Sequence, residues 1–149
     1  MMGCLNWDLL DLWDDGIKIK KMKYEDITRR IISAAMKVHS ALGNIFQEVI
    51  YQRAMEIEMP YEQLSFKREM EMPIFYRDEQ IGTRRVDFFV EELIMVELKA
   101  IIKLEDVHIA QVLNYLEAYN MEIGLLINFG ARSLAFHRLT NKKFNPKIL

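Results

Sequence analysis

Residues 84–100, RRVDFFVEELIMVELKA, place Asp87 inside one short apolar run and Glu97 with Lys99 inside the next. The length of the two runs and their wealth of Val, Ile and Phe make them strands. Charged side chains are rarely fully buried unless paired, because an isolated charge loses its hydration and gains nothing in return. Whatever fold this chain adopts must therefore bring two carboxylates and an ammonium together in the middle of a sheet.

Composition limits how that can happen. The chain has 149 residues and is 51% hydrophobic, enough for one globular domain with a real core. Its longest apolar stretches are too short to span a bilayer, and the N-terminus lacks the basic and then apolar pattern of a secretory signal. The expectation is a soluble, intracellular (cytoplasmic) protein without a membrane partner. A single cysteine, Cys4, excludes an internal disulfide and a cysteine-based zinc site. The net charge of −2 is unevenly spread. Residues 1–16 carry Asp8, Asp11, Asp14 and Asp15 and no base, whereas residues 17–30 carry six bases against two acids, and residues 131–149 carry five bases and no acid. Such basic ends can attract a phosphate backbone, although charge runs are as often solvated surface.

Residues 1–23 read as an N-terminal extension, either a short amphipathic helix that docks on a partner or a flexible segment; residues 24–149 read as the domain. From Tyr24, the spacing of Ile27, Ile31, Ala34, Ala35, Val38 and Leu42 predicts a helix that ends at Gly43. A second helix is expected from near Phe46 to just before Pro60, with Phe46, Val49, Ile50, Ala54 and Ile57 as its apolar stripe and Glu48, Tyr51, Gln52 and Met55 on another face. Alternation in LSFKREMEMPIFY predicts a strand, RDEQIG a turn, and 84–90 and 93–100 the next two strands. A third helix from about Glu105 to Tyr119 is expected to turn Val107, Ala110, Leu113, Asn114 and Leu116 to the core, and IGLLINFG and SLAFHRL close the chain as strands. Helix, helix, three strands in meander, helix, strand, strand is an α/β (α+β) arrangement: a central mixed sheet flanked by helices.

The spacing of Glu97 and Lys99 puts both on one face of a strand, with Val96 and Leu98 on the other. Mg²⁺ sites use one or two carboxylates, water and substrate phosphate, so this face suits a hard cation if Asp87 joins it from the neighbouring strand. In an antiparallel hairpin, opposed residues share a face. Asp87 therefore faces with Glu97 only if the loop has an odd number of residues, Glu91 to Leu93; a two-residue turn would send Glu97 to the opposite side. The odd loop is the prediction. No glycine-rich phosphate loop, no Ser or Cys nucleophile beside a His and no dinucleotide fingerprint competes with this reading.

These residues resemble a known pattern. VD, nine residues, and ELK is similar to the motif of the PD-(D/E)XK nuclease superfamily (restriction-endonuclease-like). HSALGNIFQEVIYQRAMEIE, RRVDFFVEELIMVELKA, HIAQVLNYLEAYNMEIGLLINFG and SLAFHRL together resemble the GxxExxY family assigned to it, over roughly residues 24–140. One glycine of that family's Gly-x-Gly is missing ahead of Glu48 and Tyr51, which puts the backbone before the second helix in question, and Val86 stands where a proline is common. The resemblance implies a restriction-endonuclease-like core and a nuclease that hydrolyses phosphodiester bonds of DNA or RNA with Mg²⁺ (or Mn²⁺). It implies Asp87 and Glu97 as metal ligands with the Leu98 carbonyl, Glu48 as a further ligand or a partner of Lys99, Lys99 as the group that positions water, and Gln111 and Tyr115 as helix residues facing the site. A homodimer follows by analogy alone. The competing readings are a buried ion-pair network that only stabilises the sheet, and an inactive nuclease-fold module for nucleic-acid binding or protein assembly. His39 and His108 read as capping or core residues, and the ten methionines as packing.

Overall fold

The computed structural model describes residues 10–14, 17–21 and 23–148. The extension begins with β1 (Leu10–Asp14) and β2 (Ile17–Lys21), an antiparallel pair whose register sets Asp11 opposite Lys20 and Leu12 opposite Ile19. Where the sequence left a short helix or a flexible segment open, residues 10–14 and 17–21 pair as a two-stranded sheet. LDLWD and IKIKK both begin with an apolar/charged alternation at period two, and the acidic strand pairs with the basic one. Residues 1–9 lie outside the described residues.

Helix α1 (Glu25–Leu42) buries Ile31, Ala34, Ala35 and Val38, as their spacing requires. It ends at Gly43, whose φ of 75° is a conformation that other residues adopt only at a cost. Helix α2 (Glu48–Glu58) runs into a 3₁₀ turn at Met59–Glu62. Strands β3 (Phe66–Tyr76), β4 (Glu79–Val90) and β5 (Ile94–Lys99) form the meander, α3 (Asp106–Ala118) crosses over, and β6 (Ile123–Asn128) and β7 (Ala135–Thr140) finish the sheet. The five strands lie in the order β3-β4-β5-β6-β7, with β5 and β6 parallel and the other neighbours antiparallel. No helix among the described residues is long and apolar enough to cross a membrane.

The core has two layers. Ile94, Val96 and Leu98 of β5 pack with Ile123, Leu125 and Ile127 of β6 against α1 and α2, whereas Met95 and Leu126 pack with Val112 and Leu116 of α3 on the opposite face. Strand β5 is covered on both sides, which is why its first three residues, Ile94–Val96, are apolar without alternation.

Three expectations need correction. The turn after β3 is only Arg77-Asp78, both at positive φ as in a type I′ turn, so β4 starts at Glu79 and the hairpin is longer than the pattern implied. The face of α2 that meets the sheet carries Tyr51, Gln52 and Met55; Phe46, Val49 and Ile57 of the expected stripe are exposed. Helix α3 buries Val112 and Leu116 and leaves Val107, Ala110 and Asn114 outward. In α2 a polar residue, Gln52, shares the inward face, and a stripe drawn from apolar residues alone is rotated away from it.

Candidate active site

Strands β4 and β5 pair through Val90↔Ile94, Phe89↔Met95 and Phe88↔Val96. The loop between them is therefore Glu91–Leu93, the odd loop, with Glu91 and Glu92 at positive φ. Beyond Phe88 and Val96 the ladder stops. The next positions in register are Asp87 and Glu97, and there the two strands separate. On its other side, β4 pairs with β3 at Arg68↔Phe88 and Met70↔Val86 but not between Glu69 and Asp87, where Glu69 has a φ of 52°. Strand β4 changes face at this point. Phe88 and Val90 pack with α1 and α2, while Val86, two residues back, packs with α3. Asp87 sits at the switch, in the gap between strands.

Its carboxylate fills that gap. Oδ2 accepts a 2.7 Å hydrogen bond from the Leu98 backbone N–H, and Oδ1 accepts one of 2.8 Å from Gln52 Nε2. Gln52 is held in turn. Its Oε1 accepts from Arg68 Nε and Nη2 at 3.1 and 2.8 Å, and Arg68 Nη1 pairs with Glu56 Oε2 at 2.9 Å. The chain Glu56–Arg68–Gln52 thus fixes Asp87 from helix α2 and strand β3. Sequence reasoning placed Gln52 on a secondary face and gave it no role. Its spacing, one turn after Glu48 on the same helix face, was the available signal.

Glu97 is 5% exposed, and its Oε1 is buried with no hydrogen-bond partner. Burial and then the Asp87 charge push its pKa up to about 8, against the opposing pull of Arg84, the Asp87 backbone N–H and Lys99. Asp87 is also raised, by burial above all, although the Leu98 and Gln52 hydrogen bonds work against it. Glu48 begins α2, open to solvent on one side and crowded on the other. Partial desolvation and then the Asp87 charge raise its pKa, opposed by Lys99 and Arg84. Glu48, Val49, Gln52, Glu69 and Asp87 line one cleft of about 280 Å³. The Asp87 charge disfavours the ionised form of both Glu48 and Glu97, so a cation beside the three carboxylates is electrostatically favoured.

Lys99 follows Glu97 on the same strand face and acts electrostatically on Glu48, Asp87 and Glu97, with no direct ion pair among the described residues. The Arg84 guanidinium lies over the Tyr115 ring at 4.6 Å, and Gln111 stands one turn before Tyr115 on α3. Gln111 and Tyr115 therefore reach the site through Arg84, a residue that the spacing argument passed over.

Two further devices hold the frame. Tyr51 is buried, donates a 2.7 Å hydrogen bond to the Gly43 carbonyl, accepts one from Phe46 N–H and stacks on Phe129 at 4.6 Å. It fastens the loop that delivers Glu48. Ile45, where a second glycine would stand, is not at positive φ, so its loss leaves that loop intact. Beyond Lys99, the buried Asn128 bonds both backbone groups of Ile101, and a Cβ on Gly130 would collide with the Ile101 backbone. His108 closes a capping box with Glu105, and His39 Nε2 bonds the Ala131 carbonyl; both have structural positions.

Among the described residues, no three His, Cys, Asp or Glu side chains are grouped tightly enough to hold a metal by themselves. Asp87 and Glu97 with a main-chain carbonyl and water are nonetheless a donor set of the kind Mg²⁺ accepts, and the orphaned Glu97 Oε1 is a free ligand atom. The residues fit such an ion.

A family model of the PD-(D/E)XK nuclease superfamily matches residues 25–139. No curated protein and no solved structure matches.

Proposed function

The chain belongs to the PD-(D/E)XK nuclease superfamily, and from that membership we propose that it is a metal-dependent hydrolase of phosphodiester bonds in DNA or RNA. The observation that supports this reading most is the meeting of Asp87 and Glu97 at the split between β4 and β5, with a carboxylate oxygen buried and unused. Asp87, Glu97 and the Leu98 carbonyl would hold Mg²⁺ or Mn²⁺, with Glu48 as a further ligand from α2. Bound there, the ion supplies charge neutralisation at phosphate and lowers the pKa of water.

The chain's own groups divide the remaining work. Lys99 stands beside the carboxylates as a compact cation that orients an attacking water or neutralises phosphate charge. Gln52 keeps the Asp87 carboxylate from rotating, since one of its oxygens is pinned to α2 and the other to the β5 main chain. Tyr115 of α3 backs the Arg84 guanidinium with its ring, and Gln111 stands one turn before it on the same helix.

The test is incubation of the wild type with mixed single- and double-stranded DNA and RNA, with Mg²⁺, Mn²⁺ or EDTA. Cleavage that requires the cation supports the reading. Cation binding by calorimetry without any cleavage supports instead an inactive module, the alternative that fits a site with no three-side-chain ligand cluster among the described residues. The Glu56–Arg68–Gln52 chain has its own expected effect. Gln52→Ala removes a hydrogen bond that orients a ligand, so Mn²⁺ affinity should fall about 10- to 100-fold. Calorimetry on the folded variant checks this, and unchanged affinity would show that Asp87 needs only its bond to Leu98.

A further inference from the structure

Arg84 has more hydrogen-bonding capacity than the protein uses. It lies on β4 beyond the point where β5 separates, so the flank of β4 that carries it is open toward α3. Its guanidinium rests on the Tyr115 ring at 4.6 Å, so the cation is fixed in place by its face and not by its edge. Its Nε is buried without a hydrogen-bond partner. The contact to Glu97, Nη2 to Oε2 at 3.9 Å, is an ion pair too long to be a hydrogen bond.

A guanidinium dedicated to a carboxylate normally closes on it through parallel short N–H bonds. The same site contains that ordinary case in Arg68, whose Nε and Nη2 share Gln52 Oε1 while Nη1 meets Glu56. Arg84, stacked on an aromatic ring beside a carboxylate it does not grip, is arranged differently. Its N–H edge is fixed in orientation and unspent, within ion-pair range of the oxygens that would hold the cation. An anion that brings oxygens to this place satisfies both the orphaned donor and the local charge.

We propose that Arg84 is an anion seat for the phosphate of the substrate, gripping a non-bridging oxygen next to the carboxylate pair. This rests on the nucleic-acid reading above and adds to it a phosphate-contacting residue outside the D…ExK pattern. Two signatures separate the seat from a counter-ion that merely steadies Glu97. Neutralising a phosphate-binding cation lowers the salt dependence of nucleic-acid binding by about one released counterion, a slope change of about 0.7 to 0.9. Removing a cation that competes for Glu97 leaves affinity for a divalent ion unchanged or tighter, whereas loss of a steadying partner weakens it.

The experiment compares wild type, Arg84→Gln and Arg84→Lys. Binding of a fluorescein-labelled deoxyoligonucleotide, single-stranded and duplex, is followed by anisotropy against salt in Ca²⁺. Mn²⁺ binding is followed by calorimetry, and cleavage in Mn²⁺ on the same preparations. For Arg84→Gln the expected results are about tenfold weaker oligonucleotide binding with the smaller salt slope, Mn²⁺ affinity equal to or above wild type, and cleavage reduced about 100-fold. Arg84→Lys keeps the charge without the fork, so it should retain the slope and recover only part of the affinity. Should Arg84→Gln fail to fold, that partial recovery in Arg84→Lys decides the question, and a full recovery there overturns the seat. An unchanged slope, or Mn²⁺ affinity falling in step with stability, also overturns it. Wild type that binds the oligonucleotide with the expected Arg84 dependence but never cleaves would sink the nuclease reading while leaving the seat standing.

Discussion

Asp87→Asn should lower metal-dependent cleavage by about 10³-fold or more while the protein stays folded. The substitution is nearly isosteric and keeps one oxygen to accept either the Leu98 or the Gln52 hydrogen bond, so the split between β4 and β5 retains part of its bridge. What it removes is the charge. Charge stabilisation at a reacting phosphate contributes several kcal/mol, and each 1.36 kcal/mol is a factor of about ten in rate. Asp87→Ala is a poorer test, because it also strands the Leu98 N–H, at a cost of about 1–3 kcal/mol. Single-turnover cleavage by Asp87→Asn, with its melting temperature measured beside that of wild type, is the decisive comparison. Activity within tenfold of wild type would move the metal away from Asp87.

The same residues show what could be read from sequence. Asp87, Glu97 and Lys99 were legible because motif spacing along a strand maps directly onto faces, and the odd loop at Glu91–Leu93 followed from the parity of two residue numbers. Helix α1 was legible because its buried positions, Thr28 apart, are apolar. Gln52, Arg68 and Arg84 were not, for a common reason. Each acts by reaching across to another element, and no local pattern records that Arg68 of β3 will meet an amide on α2. The in-plane position of Asp87 was hidden too, since strand alternation assumes an unbroken ladder, and β4 breaks its ladder on both sides at that residue. The misread face of α2 belongs with these. The helix turns Gln52 inward because Asp87 and Arg68 take up its polar atoms, a partnership that hydrophobic periodicity cannot anticipate.

In EDTA, the protein should lose stability as pH rises from about 4.5 toward 8, and Glu97→Gln should abolish most of that loss. The folded protein raises the Glu97 pKa from an unfolded value of 4.5 to about 8. The folded state therefore binds a proton that the unfolded state releases across this window. Stability is highest below the unfolded pKa, falls as pH climbs and levels off above the folded pKa. The full shift corresponds to a loss on the order of 4 kcal/mol, and Asp87 and Glu48, also raised, act in the same direction. Gln at position 97 carries no titrating proton. Wild type and variant should be closest near pH 4.5 and differ by a few kcal/mol at pH 8, with the variant more stable, as urea unfolding at both pH values would measure. A divalent cation should close that gap from the other side, because it binds the ionised pair in the folded state alone and so raises wild-type stability at pH 8 while leaving Glu97→Gln almost unmoved. Parallel pH curves for the two proteins in EDTA would mean that Glu97 is ionised and satisfied without a metal, and the reason for placing a cation beside it would be gone.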